Sequence, residues 1–290
     1  MISRLKRGFA WNHVSFFSAL ILLLCVTVAS APAQQGGSRR SSHSSAPNLA
    51  VFQKGEELVY EVSYLGIELG TIRSRVVSVD STRGKLRIGL EGFVRTYSGV
   101  PFVTLNTLFR SVLGDSLQSV AFRNREYIRN DTVFKLIEYR YSTRDDAVYI
   151  SETLNDRPGW KRSDTLDLEG KLWQDGLSLL FYARAFAHTR GTHRVPVLMY
   201  RDKATTTIRF GVEREDEDID AFDEDVRTIK LEGETGFTGI FGLTGGFEGW
   251  FSDDVAAVPI SAKMHVLIGS VRIELLRWKR RHWKPPLADD

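Results

Sequence analysis

Residues 57–79 read ELVYEVSYLGIELGTIRSRVVSV, and the pattern in this stretch predicts the fold. Apolar and polar side chains alternate from residue 57 onward, which is the period-two pattern of a half-buried β-strand. The apolar face carries Leu58, Tyr60, Val62 and Tyr64. Gly66 and Gly70 flank a turn, and alternation resumes over 71–79. The stretch therefore predicts two antiparallel strands joined by a short turn.

Similar strand-like runs follow along most of the chain, separated by turn pairs such as Arg83-Gly84 and Gly114-Asp115. The runs lie near 84–94, 103–113, 117–128, 132–141, 145–153, 193–200, 203–213 and 226–234, and 256–279 is typical of a long hairpin. Strands of this length with short turns between them predict an antiparallel meander.

One segment, DGLSLLFYARAFAH at 175–188, breaks the pattern and predicts a helix. It has no β-branched residue, it is rich in Leu and Ala, and Asp175 is suited to cap its start. A helix that is apolar on almost all sides must be buried, and the concave side of the sheet is the expected place. We therefore expect a mainly β fold, with a long curved antiparallel sheet, an open or half barrel, wrapped around one buried apolar helix.

The first 33 residues have the three zones of a secretory signal peptide. Three basic residues come first, 14–29 is almost wholly apolar, and Ala31-Pro32-Ala33 supplies small residues before a cleavage point. The apolar run is shorter than the ~20 residues that span a bilayer, which favours cleavage over a retained anchor. We expect 1–33 to be a signal peptide removed on export, with the retained anchor as the alternative.

Cleavage changes what the composition implies. The 290 residues include 39 Lys/Arg, 36 Asp/Glu and one cysteine, Cys25. Loss of 1–33 takes three of the basic residues and the cysteine, so 36 basic residues remain against 36 acidic ones. Net charge then gives no argument for nucleic-acid binding, and no disulfide or cysteine-built zinc site can form. We expect a flexible Gly/Ser-rich linker at 34–48, a single β-rich domain at 49–284 and a tail at 285–290.

Three blocks, in this order and at this spacing, resemble a known family. They are GEELVYEVSYLGIELG at 55–70, DGLSLLFYARAF at 175–186 and EGWFSDDVAAVPISAKMHVLIGSVRIEL at 248–275. The chain resembles the secreted bacterial family called domain of unknown function 3108 (DUF3108) over about 53–278. The resemblance implies an exported, mainly β protein in the periplasm or outer cell envelope of a Gram-negative-type bacterium. It implies no established activity and no catalytic residues.

An acidic stretch at 213–225 holds nine Asp/Glu in thirteen residues. The spacing of Asp216, Asp218 and Asp220 begins like a calcium loop, because Ca²⁺ takes carboxylate oxygens as ligands. Ala221 and Arg227 stand where such a loop has Gly and Glu, so a solvated, self-repelling loop is the favoured interpretation.

Two clusters of aromatic residues suggest binding surfaces. The glycine-rich stretch 233–249 predicts a loop whose aromatic side chains either pack into the core or form an apolar lip at a cavity mouth. The candidate ligand-binding residues are Phe181, Phe237, Phe241, Phe247 and Trp250. The basic and aromatic tail Arg277–Lys284 suits an anionic membrane surface, or else is a soluble strand end with snorkelling side chains.

These observations leave three hypotheses for function. The first is a non-enzymatic envelope protein that binds a lipid or another hydrophobic ligand in an apolar cavity. The second is a structural or interaction protein of the periplasm or cell surface with a filled core. The third, an envelope-acting hydrolase, has the least support, because no motif assembles catalytic residues, a cofactor site or a metal site. Asp253-Asp254 has turn composition and does not form an acid–base pair on a strand.

Overall fold

The computed structural model describes residues 46–100, 104–129, 131–236, 245–266 and 269–288. The expected signal peptide at 1–33 lies outside the described residues. Within them the chain forms one antiparallel sheet and one α-helix, which confirms the expected fold class.

The sheet has fourteen strands among the described residues, and each pairs with the next one along the chain except that β8 and β9 are the two edges. They are β1 (Glu57–Tyr64), β2 (Ile67–Thr82), β3 (Lys85–Thr96), β4 (Asn106–Leu113), β5 (Ser119–Arg129), β6 (Val133–Ser142), β7 (Ala147–Leu154), β8 (Lys161–Asp167), β9 (Gly191–Met199), β10 (Asp202–Glu217), β11 (Val226–Thr235), β12 (Gly245–Ser252), β13 (Pro259–His265) and β14 (Ser270–Lys279). The helix α1 (Ser178–Phe186) lies between β8 and β9, and a 3-10 turn at Leu49–Val51 precedes β1.

The first and last strands meet in the middle of the sheet. Strand β1 pairs with β2 on one side and with β14 on the other, with Val62 opposite both Gly70 and Ile273. The sheet order is therefore β8 to β1 followed by β14 to β9, and the two edge strands come from the middle of the chain.

The sheet curves around α1. A single core cluster contains Leu90 and Leu113 from the first half of the sheet, Val197 and Phe210 from the second half, and Phe181 from the helix. Because side chains from both halves contact one short helix, the face that carries them is concave. Period-two alternation places the buried side chains of each strand on this face.

The segment before the helix connects the edge strand β9 to the β4–β5 turn. The backbone of Gln174 donates to Pro196 (2.8 Å) and accepts from Leu198 (2.9 Å). The Ser119 N–H donates to the carbonyl of Trp173 at 2.9 Å. These bonds give β9 a partner along part of its edge, while β8 stays an exposed edge rich in charged residues, which discourages pairing with other chains.

Several expectations need correction. The glycine-rich stretch is not a loop throughout, because 233–235 belong to β11 and 245–249 to β12. The acidic stretch is not a loop throughout either, since β10 continues to Glu217 and pairs with β11 there. Strand β8 was missed because almost all of its side chains are exposed and show no apolar alternation.

The chain end is paired. Leu287 bridges Val226, and the backbone N–H of Ala288 donates to Asp225 at 2.8 Å. Residues 285–288, expected as a tail beyond the domain, therefore contact the start of β11.

Candidate functional site

An apolar cavity of about 290 Å³ lies between the helix and the concave face of the sheet. The helix side contributes Leu177, Leu179, Leu180 and Ala183, and the sheet side includes Ile72, Val94, Phe109, Phe122, Leu231, Phe247, Ala262, Met264 and Ile273. Ser74, Thr235, Glu248 and Ser261 are among the few polar residues on the lining. The volume is at the lower end of the range for small-molecule sites, which are likewise mostly apolar.

The cavity reaches one end of the sheet. Its lining includes Thr235 at the end of β11, Met264 near the end of β13, and Tyr200 in the turn after β9. Tyr200 is 49% exposed, so this residue belongs both to the cavity wall and to the solvent-facing surface. Among the described residues, the cavity therefore opens at the end of the sheet where the β9–β10 turn lies.

The structure separates the predicted ligand-binding aromatic residues. Phe247 lines the cavity. Phe181 is fully buried in the core and stacks on Phe52, with 6.0 Å between ring centroids. Phe247 and Phe251 lie on the concave face of β12 and line the cavity, whereas Trp250 lies on the opposite face of this strand. Phe237 and Phe241 lie outside the described residues.

Trp250 takes part in a polar cluster. Its indole Nε1 donates to Glu215 Oε2 at 2.6 Å, and the Lys230 ammonium lies 5.2 Å from its ring centroid. This hydrogen bond is the main cause that lowers the pKa of Glu215 below its ordinary value. Trp250 therefore anchors an acidic residue of β10.

A buried carboxylate holds the helix start. Asp175 is fully buried, and its Oδ1 accepts the backbone N–H groups of Leu177 and Ser178, both at 2.9 Å. The hydroxyls of Ser111 and Ser119 each donate to it at 2.7 Å. Burial raises the pKa of Asp175 above 3.8, although these hydrogen bonds favour the ionised form. Asp175 thus caps the helix as expected, three positions before Ser178 at the start of α1, and it ties α1 to β4 and β5.

A buried ion-pair junction lies at the end of the sheet opposite the cavity opening. Arg184, in the last turn of α1, makes a bidentate pair with Glu56, and its Nη2 lies 2.8 Å from Glu56 Oε2. Its Nε donates to the carbonyls of Ala256 (3.1 Å) and Ala257 (3.0 Å). Arg280 binds the same carboxylate.

The junction connects the three blocks that carry the family resemblance. Glu56 stands in the first block, Arg184 in the second, and Ala256 and Ala257 in the third. Burial alone would raise the pKa of Glu56, and the two arginines outweigh that effect and lower it. Sequence reasoning missed Arg184 because it is one charge in an otherwise apolar helix. The sequence did carry a clue: the helix predicted to be buried contains an arginine, and a buried charge needs a partner of opposite charge.

The acidic and basic clusters of the sequence have ordinary surroundings. Asp216 lies in β10 opposite Arg227, while Asp218 and Asp220 follow the strand. Across the described ranges, no group of three or more His, Cys, Asp or Glu side chains is placed to hold a metal ion. Asp254 is a turn residue whose Oδ1 accepts the N–H groups of Ala256 and Ala257.

The basic tail packs against the domain through part of its length. Trp278 and Trp283 make an edge-to-face contact with 5.7 Å between centroids, and Arg280 belongs to the buried junction. Arg277, Lys279, Arg281 and Lys284 remain exposed. Among the described residues, no helix combines the length and the apolar character that crossing a bilayer requires.

A second concavity, a groove of about 640 Å³, is polar. It lies on the convex face of β9 to β13 and is lined by polar and charged groups such as Arg209, Glu232, Glu248 and His265. Arg209 pairs with Glu232, and His265 lies 3.8 Å from Glu248. These charges are neutralised locally, as on an ordinary solvated face.

The family model described as protein of unknown function (DUF3108) matches residues 59–276. The chain therefore belongs to this family. No curated protein matches the sequence.

Three solved structures are similar to this chain. A β-barrel-like protein of domain of unknown function DUF1849 from Brucella abortus is 9% identical, with a TM-score of 0.48, over 78% of this chain and 97% of that one. A candidate exported protein with a YmcC-like fold from Bacteroides fragilis is 11% identical, with a TM-score of 0.37, over 79% and 97%. A candidate lipoprotein from Parabacteroides distasonis is 8% identical, with a TM-score of 0.31, over 79% and 96%.

Proposed function

We propose that this member of the DUF3108 family is a non-enzymatic, exported protein of the cell envelope that binds an acyl chain or a similar elongated apolar molecule. The observation that supports the proposal is the apolar cavity between α1 and the concave face of the sheet. An empty apolar space in a core is costly, because its wall loses dispersion contacts that a filled core would make. A bound apolar ligand restores those contacts.

The composition of the cavity wall favours a chain-like ligand over a polar one. Side chains of Leu, Phe, Val, Ile, Met and Ala make up most of the lining. The polar residues Thr235 and Tyr200 lie toward the open end, where a headgroup would meet solvent. We therefore place the apolar part of the ligand against α1 and its polar part at the opening.

The location of the protein in the envelope belongs to the same proposal. Residues 1–33 have the pattern of an export signal, which predicts the periplasm or outer envelope as the site of action. An acyl chain is abundant there and needs shielding from water whenever it leaves a bilayer.

The test is recovery of the ligand with the protein. The full chain, with its own N-terminal segment, is produced in a Gram-negative host, isolated without detergent and analysed by native mass spectrometry. The expected result is a bound mass that solvent extraction removes and identifies as a lipid. The extracted protein should then take up a fluorescent fatty acid.

A pair of variants makes the test specific. Ala262 lines the cavity, so Ala262→Phe fills part of it and should abolish both the bound mass and fatty-acid uptake. Ala147, at the start of β7 and outside the cavity lining, provides the matched control Ala147→Phe, which should retain both. A wild-type chain without any bound apolar molecule or uptake, or an Ala262→Phe variant as active as the control, overturns the proposal.

A further inference from the structure

In the described part of the chain, half of the exposed large apolar side chains lie at one end of the sheet, and Leu49, Leu172 and Val255 lie near the other end. Of the twelve large apolar residues that are exposed among the described residues, six lie in or next to the turns at the end where β1 finishes. We call this set the apolar rim, and its members are Leu65, Ile67, Tyr97, Ile128, Trp160 and Tyr200. It draws on five turns, namely β1–β2, β3–β4, β5–β6, β7–β8 and β9–β10. Each of these turns therefore presents an apolar side chain to solvent.

Three turns at the opposite end expose polar or charged residues and glycine. Arg83-Gly84, Asp115-Ser116 and Asp145-Asp146 form the β2–β3, β4–β5 and β6–β7 turns. The β12–β13 turn carries the exposed Val255 but is otherwise engaged with Arg184 and Trp283. Because both ends belong to the same antiparallel meander, the difference is not a consequence of turn geometry.

The residue types on the apolar rim match a lipid interface. Tyr97, Trp160 and Tyr200 are aromatic side chains with one polar group, the type that concentrates where hydrocarbon meets headgroups. Trp160 is flanked by Arg157, Lys161 and Arg162, all exposed, with Asp156 as the one carboxylate between Asn155 and Ser163. The net positive charge beside an exposed indole favours an anionic surface.

The rim and the cavity are continuous. Tyr200 belongs to both, and Arg201 beside it pairs with Glu152 of β7 at 3.3 Å, so the β9–β10 turn lies against the other edge of the sheet. A surface that contacts the apolar rim therefore also lies next to the cavity opening.

We propose that the apolar rim docks on an anionic phospholipid bilayer, and that the cavity receives its acyl chain directly from that surface. The second part rests on the proposed function, whereas the docking itself does not. In this proposal the apolar rim makes the membrane contact that the sequence predicted for Arg277–Lys284. That tail lies at the opposite end, and its tryptophans pack against each other and against Phe222.

The experiment is vesicle flotation of the full chain, with vesicles of phosphatidylcholine mixed with phosphatidylglycerol and of phosphatidylcholine alone. The triple variant Ile67→Ser, Tyr97→Ser and Trp160→Ser removes half of the rim. Its apparent affinity for the mixed vesicles should fall at least about tenfold, because each side chain no longer buries apolar surface. The matched control changes three exposed apolar residues of the other end, Leu49→Ser, Leu172→Ser and Val255→Ser, and should bind as the wild type does.

A second readout reports insertion at one residue. Brominated phospholipid quenches tryptophans that enter the bilayer, so wild-type fluorescence should fall on mixed vesicles. Trp160→Phe keeps an apolar ring, so it should still float with the vesicles but lose most of the quenching.

The outcomes separate this proposal from the one before it. Ala262→Phe should lose the cavity ligand and keep vesicle binding. A wild type that does not float with mixed vesicles, or a rim variant that floats as well as the wild type, overturns the docking proposal even when a lipid is found in the cavity. Loss of binding in Arg277→Gln/Lys279→Gln/Arg281→Gln, with the rim variant unaffected, overturns it in favour of the tail.

Discussion

Arg184 and Glu56, which are 128 positions apart in the chain, form a bidentate ion pair with both side chains about 1% exposed. The pair joins the one α-helix among the described residues to the residue that precedes β1. Removing Arg184 leaves the Glu56 carboxylate with Arg280 as its one guanidinium partner and leaves the buried carbonyls of Ala256 and Ala257 without this donor, which costs far more than the pair itself contributes.

We therefore expect Arg184→Met to lower the free energy of unfolding by about 3–5 kcal/mol. Urea unfolding followed by circular dichroism measures the loss. Arg194→Met, at an exposed position of β9, is the matched control and should change stability by less than about 0.5 kcal/mol. If Arg184→Met does not fold, Arg184→Lys, which keeps the charge but loses the bidentate geometry, should show an intermediate loss. Equal stability of both methionine variants would contradict this account of the junction.

Asp175 should make stability depend on pH in the opposite direction to most paired carboxylates. Burial raises the pKa of Asp175 above 3.8, so the native state holds this proton more tightly than the unfolded state does. Its contribution to stability is therefore greatest in acid and is lost as the pH rises through the raised pKa. Asp175→Asn has no such proton, so its stability relative to wild type should rise over that pH window and level off above it.

Urea midpoints measured from acidic to neutral pH test this prediction for Asp175. Asp202→Asn, an exposed carboxylate at the start of β10, serves as the matched control. A constant difference between Asp175→Asn and wild type over the whole range would show that Asp175 does not titrate as inferred.

Phe181 and Phe247 should differ in what their truncation costs. Phe181 is fully packed, so Phe181→Ala creates a new void and should cost about 3–5 kcal/mol. Phe247 already borders the cavity, so Phe247→Ala removes fewer contacts and should cost about 1–2 kcal/mol while enlarging the cavity. Thermal and urea unfolding of the two variants side by side measure the difference, and the reverse order would place the empty space elsewhere.

Trp250→Phe should destabilise the fold by about 1–2 kcal/mol at neutral pH, because the ionised Glu215 loses a hydrogen-bond donor. The same change should raise the pKa of Glu215 toward its ordinary value. A lowered pKa contributes stability above the unfolded pKa that is lost as the pH falls, so the cost of Trp250→Phe should shrink in acid. Trp160→Phe is the matched control, since the exposed Trp160 should tolerate the change at either pH.

The period-two pattern is sufficient to predict most of the sheet. Leu58, Tyr60 and Val62 alternate and are buried, since a strand with one face on a core must alternate. The same pattern does not predict strand β8, because almost all of its side chains are exposed and its sequence KRSDTLD has no apolar alternation. Strand β12 was not predicted because it contains several glycines, which have low β propensity. The strand forms nevertheless, since Phe247 and Phe251 supply the packing.

The site was harder to predict than the fold. Phe181 and Phe247 are both aromatic residues in apolar surroundings, and only the path of the sheet decides that one lies in the packed core and the other lines the cavity. The pairing of Arg184 with Glu56 depends on the same path, since local sequence carries no information about a partner so far along the chain. Trp250 required a further fact, that β10 extends through the acidic stretch and brings Glu215 beside it.

The Arg184 junction also sets where the half-barrel can widen. It fastens the start of β1, the β12–β13 turn and the end of β14 at one end of the molecule. At the opposite end, where the apolar rim and the cavity opening lie, the β9–β10 turn is tied to β7 by the partly buried ion pair of Arg201 with Glu152. We therefore expect any widening of the sheet to be smallest at the junction and largest at the opening.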